Sequence, residues 1–132
     1  MASRHNKDFQ IFQGDLGLSA VTLASERTST TFSVKGYRHL TVYVDVTARS
    51  ALTALICKLK VSDNATTLGQ TKSESISSGT GTLSTYSQSF ATTTTGLTAF
   101  RFDIDDDFAQ VLVSATAGAA GDVCNVQVRM ST

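Results

Sequence analysis

The chain has 132 residues, with 11 Lys and Arg against 11 Asp and Glu, so its formal net charge is zero. This length fits one domain that can bury a core without disulfides, and a neutral total gives no indication of nucleic acid, a membrane surface or an acidic partner. Two cysteines are too few for a disulfide framework or a Cys/His metal site, and no apolar run has the length of a transmembrane helix or signal sequence. We therefore expect synthesis in a cytoplasm without an export signal and reduced thiols.

The N-terminal segment, residues 1–15, shows no hydrophobic period and ends in a small apolar cluster. One interpretation is a frayed terminus followed by an edge strand. The other is an arm that leaves the body and docks on a neighbour, because burial of a large apolar side chain is worth ~1.5–3 kcal/mol. We divide the chain into this arm, residues 1–15, and one domain, residues 16–132.

The clearest strand pattern lies within residues 37–63. Leu40, Val42, Val44 and Val46 occupy alternate positions, and Leu55, Cys57, Leu59 and Val61 repeat the alternation. Such a period gives each strand one apolar and one polar face. Residues 48–53 between them are short enough for a hairpin or a tight corner. Before this stretch, residues 18–23 and 30–34 are shorter strand candidates on either side of a polar turn at residues 24–27.

Residues 62–82 are rich in Ser, Thr and Gly and predict a long loop, in which Leu68 and Ile76 indicate a short strand or a packed turn. Further strands are predicted at residues 83–90, 97–104, 110–115 and 123–130. About eight strands and no helical period predict an all-β protein, a two-sheet antiparallel β-sandwich that is jelly-roll-like. Cys57 and Cys124 lie on apolar faces, so buried thiols are expected, with one disulfide between them as the alternative.

Candidate chemistry is sparse. Asp103, Asp105, Asp106 and Asp107 could hold calcium, but the offsets of an EF-hand are absent and a solvated turn is favoured. His5 and His39 are the two histidines, and neither adjoins a nucleophile and an acid in sequence. The sequence therefore predicts no enzyme, no metal site and no cofactor. The basic and aromatic residues 37–39 are too few to indicate nucleic-acid binding.

Several short motifs resemble those of small virion proteins of tailed bacteriophages. They are a Gly36-Tyr37 lead-in, Val44-Asp45-Val46-Thr47-Ala48 at a strand end, a Ser62-Asp63 turn, an aromatic-led strand at 108–115, a Gly-Ala turn at 117–122 and a last alternating strand at 123–130. The chain departs from the family pattern at residues 64–67, where Asn-Ala-Thr-Thr replaces an aromatic-bearing turn. The loop 64–82 is therefore the part to which the resemblance transfers least.

The resemblance implies a non-enzymatic structural protein of the virion, located on the capsid surface. It implies a capsid decoration (cement) protein that binds the outer shell and bridges neighbouring major capsid proteins, with itself as a second partner in a homotrimer or homodimer and with no nucleic acid and no membrane. Capsid contacts are expected from the loop 64–82 and from residues 1–15. In the latter they are expected from Arg4, His5, Lys7, Phe9, Ile11 and Phe12.

Two other functions stay open at this point. One is a structural part of the head–tail joint or tail, which would share the fold but occur in few copies. The other is a carbohydrate-binding β-sandwich module. The absence of Trp and the presence of Tyr at only three positions, Tyr37, Tyr43 and Tyr86, argue against the second.

Overall fold

The computed structural model describes residues 9–12, 16–62, 76–77, 80–81, 86–104 and 106–132. All regular structure in these ranges is β-strand, which confirms the all-β prediction. The strands are β1 (Phe9–Phe12), β2 (Val21–Thr22), β3 (Arg27–Thr28), β4 (Phe32–Ser33), β5 (His39–Ala48), β6 (Ala54–Ser62), β7 (Ile76–Ser77), β8 (Thr80–Gly81), β9 (Tyr86–Ala91), β10 (Gly96–Asp103), β11 (Phe108–Thr116) and β12 (Val123–Ser131).

The strands form two antiparallel sheets. In the first sheet the order is β1-β12-β5-β10, and β2 also pairs with β12; in the second the order is β3-β11-β6-β9, and β4 also pairs with β11. The short strands β7 and β8 pair with each other. The described residues contain no helix long and apolar enough to cross a membrane.

The strand order is that of a jelly roll. If β1 with β2, and β3 with β4, are each counted as one interrupted strand, the first sheet holds the first, eighth, third and sixth strands of the sandwich. The second sheet holds the second, seventh, fourth and fifth. Two interleaved Greek keys produce this order. The predicted sandwich of about eight strands is therefore confirmed. The connection between β6 and β9 stays within the second sheet, whereas β5 to β6, β9 to β10, β10 to β11 and β11 to β12 each pass from one sheet to the other.

The core lies between the sheets and is built by the predicted alternation. Paired residues of neighbouring antiparallel strands share a face, as Val126 and Val44 do in the first sheet. Burial of each such side chain is worth ~1.5–3 kcal/mol relative to its exposure. The buried alternate residues of the long strands are Leu40, Val42, Val44 and Val46; Leu55, Cys57, Leu59 and Val61; Phe100 and Phe102; Ala109, Val111 and Val113; and Cys124, Val126, Val128 and Met130.

Both thiols belong to this core. Cys57 lies in β6 and Cys124 in β12, on opposite sheets, and both are buried and free. Burial raises the pKa of Cys57 to about 12. Burial, with the charge of Asp45, raises the pKa of Cys124 to about 11 against the opposing effect of Arg27. The prediction of buried thiols is confirmed, and the alternative of a disulfide is not.

The structure decides between the two alternatives for one connection and corrects one local prediction. Residues 49–53 form a corner between the sheets and not a hairpin, because β5 and β6 belong to different sheets. The predicted turn at residues 24–27 ends earlier, because Arg27 begins β3. Its backbone pairs with Val113, and its guanidinium donates to the carbonyl and hydroxyl oxygens of Thr22 at 2.7 and 2.8 Å.

Candidate functional site

The capsid-contact residues predicted from the resemblance fall at the N-terminus. Arg4, His5 and Lys7 lie outside the described residues. Phe9, Ile11 and Phe12 lie in β1, whose backbone pairs with β12 at the edge of the first sheet. Residues 9–12 are therefore an edge strand, and their contact with a neighbouring protein stays a prediction. Of the loop 64–82, the structure describes only β7 and β8.

The acidic cluster lies at the corner between β10 and β11. Asp103 ends β10, and its carboxylate lies 2.9 Å from Nδ1 of His39 on the neighbouring strand β5. The carbonyl of Asp107 accepts the backbone N–H of Val34 at 2.8 Å, and Asp106 is buried. Asp105 lies outside the described residues. In the part of the chain that the structure describes, no three His, Cys, Asp or Glu side chains are grouped so that they could hold a metal ion.

An open groove of about 750 Å³ runs past this corner. Its lining includes the basic residues Arg38 and His39 and three acids, Asp103, Asp106 and Asp107, so this end of the sandwich is polar. The lining residues are Gly36, Tyr37, Arg38, His39, Asp103, Ile104, Asp106 and Asp107.

The opposite end of the sandwich exposes two large apolar side chains. Phe90 near the end of β9 is 51% exposed, and Leu97 near the start of β10 is 65% exposed. β9 and β10 are edge strands of different sheets, joined by residues 92–95, so the two side chains flank one connection. Register places Phe90 beside Leu55 and Leu97 beside Asp45, close to the corner between β5 and β6. No signal in the sequence distinguishes these two residues from core residues.

Four connections lie at this end. We call three of them, residues 49–53, 92–95 and 117–122, together with Phe90 and Leu97, the apolar tip. In the fourth, residues 23–26, the N–H of Leu23 donates to the carbonyl of Asp122 at 2.8 Å. The backbone N–H of Thr92 donates to the carbonyl of Thr53 at 3.0 Å, and the N–H of Thr53 donates to the carbonyl of Thr116 at 3.0 Å. Within the three connections the charged residues are Arg49 and Asp122. The guanidinium of Arg49 donates to the carbonyl of Leu52, and Asp122 is fully buried. Of the two charged residues in the three connections only Arg49 is exposed, and Asp45 lies beside Leu97 on β5.

Asp122 fixes two of these connections to each other. Its carboxylate accepts backbone N–H groups from Ser50 at 2.5 Å, from Ala51 at 3.1 and 3.2 Å, from Leu52 at 3.2 Å and from Ala119 at 2.8 Å. Burial raises its pKa, but the four backbone donors lower it by more, and the balance is about 2 against an ordinary value of 3.8. The carboxylate is therefore ionised at neutral pH and holds the corner between β5 and β6 against the turn before β12.

The comparisons with known proteins concern solved structures. No protein-family model matches the chain, and no curated protein is significantly similar. The chain is similar to the SPBc2 prophage-derived protein YomS at 22% identity, over 95% of this chain and 94% of that one, with a TM-score of 0.46.

Two other similar structures come from different sources. The chain is similar to the VP2 subviral particle of infectious bursal disease virus at 10% identity, over 93% of this chain and 32% of that one, with a TM-score of 0.49. It is also similar to a carbohydrate-binding module from a family 9 glycoside hydrolase of Ruminococcus flavefaciens at 9% identity, over 94% of this chain and 97% of that one, with a TM-score of 0.48. At such identities a likeness concerns only the fold.

Proposed function

We propose that this chain is a structural virion protein of the capsid-decoration type, which binds the outer shell of a phage head and has no catalytic activity. The observation that carries the proposal is the apolar tip, where the large apolar side chains of Phe90 and Leu97 are exposed on either side of one connection. Aromatic and aliphatic side chains in such positions are typical anchors of protein–protein interfaces. The motifs shared with small virion proteins support a capsid protein as the partner.

The proposed mechanism is repeated contact between rigid surfaces. Burial of Phe90 and Leu97 against the shell contributes ~1.5–3 kcal/mol for each side chain. The hydrogen bonds of Asp122 hold the tip loops before binding, so little conformational freedom is lost on contact. When copies associate with one another as dimers or trimers, each copy brings its neighbours to adjacent shell sites, and the linked contacts hold the shell more tightly than one contact can.

The proposal predicts that Phe90→Ser and Leu97→Ser weaken binding to phage particles from which this protein is absent. Each substitution removes an apolar anchor of ~1.5–3 kcal/mol, so each dissociation constant should rise by a factor of about 10 to 100. Binding is measured by co-sedimentation of the purified protein with such particles. Lys35→Ser, an exposed change in the connection that leads to β5, is the control and should leave binding unchanged. Failure of the unaltered protein to bind would overturn the proposal, whereas full binding by both serine variants would exclude the tip as the contact.

The N-terminal prediction can be tested without damage to the fold. A cut after residue 8 removes Arg4, His5 and Lys7 but keeps β1 paired with β12. If this segment contacts the shell, the shortened protein should sediment with particles at least tenfold more weakly while its thermal unfolding midpoint stays the same. Unchanged sedimentation would remove residues 1–8 from the set of contact residues and leave the tip as the shell contact.

A further inference from the structure

The first sheet ends at β10, which has a partner strand on one side only. Among the described strands, β10 pairs with β5 over its whole length, from Gly96 to Asp103, without a register shift. In an antiparallel ladder the N–H and C=O groups of one residue point to the same side, and the side alternates from residue to residue. Every second residue of β10 therefore directs its backbone groups away from β5, toward an open edge.

Two hydrogen bonds identify the residues of this open edge. The N–H of Ile104, directly after β10, donates to the carbonyl of Arg38, directly before β5, at 2.8 Å. The even-numbered residues of β10 thus face β5. On the opposite side, the carbonyl of Arg101 accepts the side-chain amide of Gln88, which lies on β9 of the other sheet. The residues whose backbone groups line the open edge are therefore Leu97, Ala99, Arg101 and Asp103.

The gap between β10 and β9 is only partly closed. Gln88 bridges it from the inner side of β9. Two residues nearer the tip, Phe90 lies on the same side of β9, in register with the buried Leu55, and yet its side chain is 51% exposed. A large apolar side chain that points between two sheets is normally covered by both of them. The open edge of β10 and the uncovered ring of Phe90 thus lie on one side of the sandwich, beside the tip.

We propose that an extended segment of the shell protein pairs with the open edge of β10 as an added strand. Its backbone bonds the N–H and C=O groups of Leu97 and Ala99, and a large apolar side chain on its inner side covers Phe90. The added strand thus satisfies the unpaired backbone groups and the exposed ring together. The inference deepens the proposed function and rests on it, because it names the element through which the shell protein holds the chain beside the tip.

A second copy of the chain fits this edge less well. If β10 of one copy paired with β10 of another in the antiparallel sense, the two-fold axis would cross the strands, and the two tips would point in opposite directions. Only one of the two tips would then contact the shell. A segment of the shell protein has no such conflict. β10 starts at the tip with Gly96 and leads away from it, so a segment that leaves the shell surface beside the tip runs along the open edge.

The first experiment measures amide hydrogen exchange residue by residue, by mass spectrometry. It compares the free full chain with the chain sedimented on phage particles from which this protein is absent. In the free chain the amides of Leu97, Ala99 and Arg101 should exchange fast, and those of Thr98 and Phe100 slowly, because only the latter two face β5. On the particles, exchange at the first three amides should slow at least tenfold.

The second experiment removes one donor of the open edge. Ala99→Pro deletes an N–H that does not bond β5, and edge strands tolerate proline at such positions. It should weaken co-sedimentation with the particles at least tenfold, whereas the control Ala99→Ser, which keeps the N–H, should not. Circular dichroism verifies that both variants are folded. If Ala99→Pro does not fold, the exchange pattern of the unaltered chain decides.

Three results overturn the inference, and they differ in what else they affect. If the chain binds particles while the amides of Leu97, Ala99 and Arg101 stay unprotected, or if Ala99→Pro sediments as well as Ala99→Ser, the added strand is excluded and the tip contact stands. If the same amides are protected in the free chain and sedimentation velocity shows a dimer, the occupant of the edge is a second copy. If the unaltered chain does not bind particles, the proposed function is lost and the inference with it.

Discussion

At the scale of single residues, Asp122 combines two properties that oppose each other. Full burial disfavours its charge, yet four backbone N–H groups surround the carboxylate and favour it. Three of these donors belong to consecutive residues, 50–52, in the corner that follows β5. One ionised side chain thus supplies the hydrogen-bond acceptors that the backbone of this loop lacks. This explains how a corner without regular structure stays ordered beside the core.

Replacement of Asp122 by Asn should lower the thermal unfolding midpoint at pH 7, because an amide offers one acceptor oxygen and turns its NH2 toward backbone donors. The folded-state pKa of about 2 is below the ordinary 3.8, so the stabilisation by the charge is complete above about pH 4 and is lost as the pH falls toward 2. The difference in midpoint between the two proteins, followed by circular dichroism from pH 7 to pH 2, should therefore shrink on acidification. Asp45→Asn, on the outer sheet face, serves as the control. A difference that stays constant with pH would contradict this role of Asp122.

Residue roles of this kind could be predicted only in part. The burial of Cys57 and Cys124 followed from the alternation around them. The role of Asp122 did not, because three of its four donors are main-chain groups about 70 residues away, such as the N–H of Ser50, and no side-chain pattern marks them. The exposure of Phe90 could not be predicted either. Phe90 shares the inward face with Leu55 and is exposed only because β9 is the sheet edge.

At the scale of elements, the turn between β11 and β12 depends on a close backbone approach. A Cβ atom on Gly118 would lie 2.1 Å from the carbonyl oxygen of Leu23. Gly118→Ala should therefore displace the segment that joins β2 to β3 and lower the free energy of unfolding by about 1–3 kcal/mol, as overpacking commonly does. The adjacent Ala117 has a φ of 59°, in the left-handed region, so Ala117→Gly relieves strain.

The two substitutions, one residue apart, form a matched pair in urea denaturation. Ala117→Gly should raise the free energy of unfolding by up to about 1 kcal/mol, since relief of strain exceeds the entropy that glycine adds to the unfolded chain. If Gly118→Ala instead proved as stable as the unaltered protein, the close approach of the turn to Leu23 would not be a constraint on the fold.

The long strands were predictable because each buries one complete face, so their sequences alternate without interruption. The strand candidates at residues 18–23 and 30–34 contain β2 and β4. β3 was not predicted, since it has only two residues and is held by its pairing with β11. The corner at residues 49–53 shows a different limit to what the sequence can predict. A connection of that length fits either a hairpin or a passage between sheets, and only the packing of the whole sandwich decides between them.

At the scale of the whole molecule, the jelly roll separates surfaces of different character. Its strands run lengthwise, so the connections collect at two ends. One end carries the tip with its exposed Phe90 and Leu97, and the other carries the groove past His39 and Asp103. An apolar end is suited to burial in a permanent protein contact, whereas a charged end is suited to hydration by the solvent. If the tip contacts the shell as proposed, this polarity favours an upright copy, with the charged groove directed outward.

If the tip is a shell contact that repeats with the symmetry of the capsid, the protein must be abundant in the particle. We expect on the order of hundreds of copies per virion, because symmetry presents the same site at every equivalent position of the shell. Quantitative mass spectrometry of purified particles, with the major capsid protein as internal standard, measures this number directly. About a dozen copies or fewer would instead place the protein at the head–tail joint or tail, where one ring of subunits has low symmetry. Absence from the particle would overturn both virion functions.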